Sequence, residues 1–290
     1  RILATYEYGG GPQGNVAIGA ISASRDSRLQ GGYKIANPIP TTGGASGETT
    51  ADGERRIPQV IRHQERLVTL QDFRDITRRA PGVDVGRVEV LPLFKPAEGE
   101  PLLNEAGVVT VMVIPRVDPL DPLWPTPDRL FLQRVCDHLD GRRLVTTEIY
   151  VRGPRYAPVY VSVGIQARAG FFVDQVRQDA EAVLRQYLSS LPPGGVDGLG
   201  WPLKKRLMRK DLEAVVTRVP GVEYVELLLL GVGSPQPVED YALTGLELPR
   251  VAGIRVQQGT AAPLESIFAP TGAGPSLNEG VPIPVTPATC

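Results

Sequence analysis

Helix-type and strand-type hydrophobic patterns alternate through most of this 290-residue chain. Apolar residues with the 3.6-residue spacing of a buried helix face occur at 130–139 and 173–191. Valine-rich runs with the two-residue spacing of a strand occur near Val85, Val109 and Val159. From about residue 67, the predicted order is helix, strand, strand, helix, strand, strand, helix, helix, strand. This order predicts an α+β fold, with small mixed sheets covered by helices.

The first predicted helix has a complete start signal. Thr69 suits the N-cap and Asp72 the third helical position, and Val68 with Phe73 is expected to form a hydrophobic staple. The helix is therefore expected to start directly after Thr69. Pro81 should end it and lead into a strand.

Boundaries of the later elements follow from similar signals. Thr126 and Pro127 are expected to be the N-cap and first residue of the next helix. A strand is expected over residues 144–151, and a helix of about five turns should end before Pro192. One further strand is expected at 253–256. The rest of the chain after Gly231 is rich in Pro and Gly and is expected to be extended or loosely ordered.

An internal duplication accompanies these patterns. Five residues of the first helix-turn-strand segment recur 139 positions later: Asp72, Ile76, Pro81, Gly82 and Val83 align with Asp211, Val215, Pro220, Gly221 and Val222. Met208 stands where the first copy has Thr69, so the second helix is expected to begin earlier, near Lys204. The alternate valines at 109, 111 and 113 also match those at 159, 161 and 163, 50 positions apart, and a helix follows each strand.

The predicted organisation has five segments. They are the end of a β-rich domain (1–36), a Pro/Gly-rich linker or arm (37–58), a first α+β unit (59–155), a second α+β unit (156–256) and an extended C-terminal tail (257–290). In the first segment, two short strands are expected around a turn at 9–14. The chain begins with Arg1, and an N-terminal part is expected to be missing.

Charge and composition narrow the classes of partner. The formal net charge is -1, from 31 basic and 32 acidic residues, so no polycationic field would drive binding to nucleic acid or to an anionic membrane. The apolar runs at 108–114 and 222–232 are shorter than the roughly 18 residues of a membrane span. Other proteins are the expected partners.

Candidate chemistry is sparse. Cys136 and Cys290 make neither a disulfide framework nor a metal cluster, and His63 and His138 lie in different predicted elements. Cys136 and His138 are two residues apart on a helix, which directs their side chains to different faces. The glycines at 9–14 lack the Lys and Ser/Thr of a phosphate-binding loop, so a turn is expected there. No catalytic, cofactor-binding or metal-binding residue is predicted.

The split βαβ pattern leaves a nucleic-acid or ligand-binding domain as an alternative. RNA-binding domains of this kind carry aromatic and basic residues on their strands. Tyr160 is a lone aromatic residue among valines, so the strand pattern favours protein contacts over RNA.

Several motifs, in this order, resemble the central part of the baseplate J-like family. They are YEYGGGPQGNV (6–16), NPIPTTGG (37–44), RRIP (55–58) and RLVTLQDF (66–73). The later GGVDGLGWP (194–202), the helix at Asp211 and the PGV turn (220–222) resemble the end of the same family. The resemblance covers nearly the whole chain, and its departures are the lost cap at Met208 and the expected missing N-terminal part.

The resemblance implies a non-enzymatic wedge component of a contractile phage tail or extracellular contractile injection system. It implies contacts with a second baseplate wedge subunit, the sheath initiator, the central hub or spike and copies of itself around a six-fold ring, and rearrangement on contraction. It also implies assembly in the bacterial cytoplasm, as part of a phage-tail-like particle or virion baseplate. A tail-associated ligand-binding or hydrolase domain is the alternative.

Six residues are candidates for subunit contacts: Asn37, Pro38, Pro40, Arg55, Arg56 and Trp201. Each X-Pro pair in the linker favours an extended backbone, and Gly43-Gly44 should then add freedom. The linker could thus reach a neighbouring subunit or tether two domains of one chain. Trp201 could instead be a buried core anchor.

Overall fold

The computed structural model describes residues 9–26, 35–38, 40–41, 44, 46–96, 102–118 and 121–268. These residues form helices and small mixed sheets, which confirms the predicted α+β class. The helices are α1 (Thr50–His63), α2 (Leu70–Thr77), α3 (Arg129–Asp140), α4 (Val173–Tyr187), α5 (Arg209–Thr217) and α6 (Glu265–Phe268), with a 3-10 helix at Gly11–Gly14. The strands are β1 (Val85–Pro92), β2 (Phe94–Lys95), β3 (Leu102–Leu103), β4 (Val108–Pro115), β5 (Glu148–Arg152), β6 (Arg155–Ala167), β7 (Leu207–Met208), β8 (Val222–Val232), β9 (Asp240–Tyr241) and β10 (Glu247–Gln258).

The chain divides into two compact units between Arg152 and Gly153. The first contains the three-stranded sheet β1-β4-β5, in which central β4 is antiparallel to β1 and parallel to β5. Helices α2 and α3 contribute apolar residues to its core, including Phe73, Ile76 and Val135, which pack with Val111 and Val113 of the central strand.

The second unit contains a sheet of the same design. Its order is β10-β6-β8, and central β6 is antiparallel to β8 and parallel to β10. The valines matched at an offset of 50 hold corresponding places: Val111 lies between Val90 and Val151, and Val161 lies between Leu230 and Ile254. The duplicated sequence therefore corresponds to duplicated strand pairing.

Connectivity differs between the two sheets. In the first unit, β4, α3 and β5 form a parallel crossover. In the second, central β6 is followed by α4, α5 and the antiparallel neighbour β8, and parallel β10 comes last. The pattern along the sequence therefore predicted the elements, whereas pairing between distant strands set the order within each sheet.

Local signals explain where several elements begin. Helix α2 starts at Leu70 with the predicted capping box: the Thr69 hydroxyl accepts from the Asp72 N–H at 3.2 Å, and the Asp72 carboxylate accepts from the Thr69 N–H at 2.7 Å. The predicted staple is wrong, because Val68 is exposed while Phe73 is buried.

Other boundaries differ from the predictions. Asp128, and not Thr126, is the N-cap of α3, because its carboxylate accepts a 2.7 Å hydrogen bond from the Phe131 N–H. Helix α4 has 15 residues, about four turns and not five. Strand β5 starts at Glu148, four residues later than predicted, after the exposed Val145.

The start of α5 is also a correction. It begins at Arg209, with Met208 as N-cap and no side-chain capping bond, and not near Lys204. Lys204 has a φ of 60°, in the left-handed region that breaks a right-handed helix. The second helix therefore starts at the position equivalent to the first.

The two ends of the chain depart from the predicted segments. Residues 9–26 contain the 3-10 helix and no strand, and the remaining parts of the predicted β-rich segment at 1–8 and 27–34 lie outside the described residues. The strand predicted at 253–256 lies within the longer β10, and the predicted tail at 257–290 contains the end of β10 and helix α6. Its residues 269–290 lie outside the described residues.

Candidate protein-interaction surfaces

The predicted linker runs beside residues 15–21 and is hydrogen-bonded to them. The Asn37 side chain donates to the Ala17 carbonyl and accepts from the Ile21 N–H, both at 2.9 Å. Thr41 exchanges hydrogen bonds with Val16: its N–H donates to the Val16 carbonyl at 3.0 Å, and its hydroxyl accepts from the Val16 N–H at 2.8 Å. We call this pairing the clasp.

Gly44 closes the clasp, which corrects the expectation that it adds freedom. Its N–H and carbonyl each form a 2.8 Å hydrogen bond with the amide side chain of Asn15. A Cβ at Gly44 would lie 2.3 Å from the Gly11 carbonyl oxygen, so only glycine fits this approach without a backbone shift. Gly43 lies outside the described residues.

Three candidate contact residues lie in this segment. Both polar atoms of the Asn37 side chain are engaged within the chain, so its structural role is to hold the clasp. Pro38 is exposed and Pro40 is half-buried. Sequence reasoning missed Asn15 and Thr41 as clasp residues, because their partners are backbone groups more than 20 positions away.

Helix α1 occupies the end of the predicted linker and carries Arg55 and Arg56. Its N-cap Thr49 accepts from the Asp52 N–H at 3.2 Å. Arg55 pairs with Asp52 at 2.8 Å and Arg56 with Glu48 at 2.7 Å, and these side chains are largely exposed. Both arginines therefore lie on the surface, as predicted, but inside a helix.

The helix also exposes apolar side chains that sequence reasoning missed. Ile57 and Ile61, one turn apart, are 55% and 68% exposed. Gly53 and the interior Pro58 weaken α1, since proline removes one helix hydrogen bond and crowds the preceding turn. The spacing of Ile57 and Ile61 is typical of a helix and could have predicted α1, but the neighbouring proline favoured a linker. An exposed, intrinsically weak helix with an apolar face is typical of a segment that docks on a partner.

Polar contacts fix the carboxyl end of α1 to its own unit. Arg62 lies 3.3 Å from a carboxylate oxygen of Asp75 in α2. His63 is buried, and its Nε2 lies 2.8 Å from the Arg79 guanidinium. Glu65 accepts a 2.9 Å hydrogen bond from Arg142. The rest of α1 therefore projects from an anchored base.

The electrostatics of this base favour the ionised form of Glu65 and the neutral form of His138. The hydrogen bond from Arg142 lowers the pKa of Glu65 below its usual value of 4.5, against partial burial and with help from Arg79. Burial, together with the nearby Arg142, lowers the pKa of His138. Glu65 is therefore an ionised partner for two arginines over the neutral pH range.

Trp201 is fully buried and lies in the core, as in the alternative interpretation of this residue. It therefore offers no exposed surface for a subunit contact. Its ring meets Tyr187 of α4 edge to face, with centroids 5.5 Å apart. The Lys205 ammonium lies 5.9 Å from the ring centroid. The indole N–H has no hydrogen-bond partner among the described residues.

Within the described residues, no group of three or more His, Cys, Asp or Glu side chains is placed to hold a metal ion. That part of the chain also contains no helix long and apolar enough to cross a bilayer. The exposed apolar side chains of α1 form a surface of the kind that contacts other proteins.

Comparison with known proteins gives a likeness of fold. No family model and no curated protein matches the chain. Among solved structures, it is similar to a chain of the "Cryo-EM structure of the anti-feeding prophage (AFP) baseplate, 6-fold symmetrised", with a TM-score of 0.51 and 20% identity. The match covers 77% of this chain and 45% of that chain. The likeness concerns the fold, over less than half the length of the matched chain.

Proposed function

We propose that this protein is a structural component of the baseplate of a contractile injection system or phage tail, with the role of a wedge. The observation that carries the proposal is the fold shared with a baseplate chain over 77% of the present sequence. The order of the NPIPTTGG, RLVTLQDF and GGVDGLGWP motifs supports the same role independently of the fold.

The exposed helix α1 supports a role in holding subunits together. Its apolar side chains Ile57 and Ile61 and its arginines are accessible, while its base is fixed to the first unit. Wedge function requires surfaces of this kind for a second wedge subunit, the sheath initiator, the hub or spike and neighbouring copies. In this role, the protein would have no enzymatic activity.

The clasp and α1 together refine the expected arm. Asn37, Thr41 and Gly44 hold the first part of the predicted linker against residues 15–21, and α1 follows as the projecting part. Rearrangement during sheath contraction would then move α1 against a partner while its base stays fixed. We propose assembly in the bacterial cytoplasm, into a phage-tail-like particle or virion baseplate.

Affinity purification of the tagged full-length protein from its native source tests this function, with mass spectrometry and negative-stain imaging of the co-purifying material. Sheath, tube and second-wedge proteins on six-fold particles are the expected result. A lone protein, or a complex with a small metabolite, would contradict the scaffold role and favour the ligand-binding alternative.

A further inference from the structure

One face of helix α5 is uncovered. Lys210, Ala214, Thr217 and Arg218 follow helical spacing, and all four are exposed. With Glu213, they line an open depression on the surface. Lys210 and Arg218, at its two ends, form no ion pair within the described part of the chain. The face is therefore a shallow trough with small side chains at its centre and a cation at each end.

Only the centre of the equivalent face in the first unit is covered, since Gln71 and Arg78 of that face are exposed. Ala214 corresponds to Asp75 of α2 at the offset of 139 residues, and Asp75 is only 7% exposed. Arg62, at the end of α1, lies over it and forms the 3.3 Å ion pair. The centre of this helix face is thus buried under a side chain from α1 in one copy of the duplication and exposed in the other.

The free part of α1 has matching chemistry. Glu54, Ile57, Pro58 and Ile61 lie on one helix face and are all exposed. Glu54 forms no ion pair among the described residues, unlike Asp52, which pairs with Arg55. This face therefore offers one carboxylate followed by an apolar stripe.

We propose that α1 of a second copy of this chain docks antiparallel on the trough of α5. Glu54 to Ile61 spans about 10 Å and Lys210 to Arg218 about 12 Å at 1.5 Å per residue, so the two faces match in length. Glu54 then meets Arg218. Next along α1, Ile57 covers Thr217 and Ile61 covers Ala214. The antiparallel direction also brings the amino end of α1 to the carboxyl end of α5, which the helix dipoles favour.

This contact uses different surfaces on the two copies. Each chain gives α1 to one neighbour and α5 to the other, and such head-to-tail contacts close into a ring when the rotation permits. A nine-residue helix offers a small area, so one contact is weak and its strength comes from repetition around the ring. The inference rests on the proposed baseplate function and names one of its partners.

Crosslinking combined with a charge exchange tests the contact in the full chain. Benzoylphenylalanine replaces Ala214, and equal amounts of isotopically heavy and light chains are mixed, so that mass spectrometry separates crosslinks between chains from those within one chain. Arg218→Glu alone should lower the yield of α5-to-α1 crosslinks between chains about threefold or more, and Glu54→Arg with Arg218→Glu should restore it. Ile61→Asp should lower the yield about tenfold.

Arg185→Glu on the exposed side of α4 is the matched control and should leave the yield unchanged. Circular dichroism verifies that each variant is folded. Crosslinks from Ala214 only within its own chain, or to a segment outside α1, would overturn the contact, as would a charge exchange without rescue. If the charge exchange fails to rescue crosslinking but the protein still enters baseplate particles, the proposed contact is wrong and the proposed function is retained.

Discussion

Helices α2 and α5 occupy equivalent places in the two duplicated units, but their surroundings differ. α2 has a capping box and an ion pair between its Asp75 and Arg62 of α1, whereas α5 has no side-chain cap and presents one face to solvent. Asp75 and Ala214, equivalent in sequence, are buried and exposed respectively. The duplicated helices thus share buried positions, Phe73 with Leu212 and Thr77 with Val216, while their outer positions differ in exposure.

Core truncation should show the largest difference between the copies. Ile76→Ala removes a fully buried side chain and should lower the free energy of unfolding by about 2–5 kcal/mol. Val215→Ala, at the equivalent half-buried position, should cost about 1 kcal/mol. Denaturant unfolding measures both, and equal losses would show that the two helices are covered to the same extent.

Removal of the buried carboxylate should have the next largest effect. Asp75→Ala breaks the contacts with Arg62 and Gln71 and should destabilise the protein by about 1.5–3 kcal/mol. Ala214→Asp, which places the same carboxylate on exposed α5, should change stability by less than about 0.5 kcal/mol. Unfolding curves of the two variants compare these changes, and a large loss for Ala214→Asp would reveal a cover over α5.

The third largest effect on stability should come from the N-caps of α2 and α5. Thr69→Ala should cost about 1 kcal/mol, because it removes the capping bond to Asp72. Met208→Thr should stabilise α5 by up to about 1 kcal/mol, since Asp211 already holds the third helical position. Lys205 lies 3.6 Å from the Asp211 carboxylate, and this ion pair competes with the capping bond and reduces the gain in stability. Thermal unfolding measures both, and a destabilised Met208→Thr variant would contradict the cap interpretation.

Among these effects on stability, we expect the smallest from protonation of Glu65 at acidic pH. The folded-state pKa of Glu65 is lowered, so its contribution to stability is present above its unfolded pKa near 4.5 and is lost as pH falls through the lower folded value. Glu65→Gln should remove this part of the pH dependence, which lies below the usual Glu pKa of 4.5. Unfolding curves at several pH values test this, and an unchanged pH profile would assign the effect to other carboxylates.

The fold was predictable where local signals were strong. Thr69 and Asp72 predicted the start of α2, and the valines of β4 and β6 predicted the central strands. The α1 helix was missed because Gly53 and Pro58 resemble linker residues in composition. Of the candidate contacts, Arg55 and Arg56 lie on an exposed surface. Trp201 is buried because it packs against Tyr187, a contact that no local sequence pattern predicts.

The sequence by itself determined the α+β class, the duplication and the resemblance to baseplate proteins, because periodicity, caps and motif order are local properties of the chain. Tertiary structure alone decided the strand order in each sheet, the clasp between 15–21 and 37–44, and which copy of the repeated helix is covered. These features depend on contacts between residues distant in sequence, whose free energy is gained only when the chain has folded.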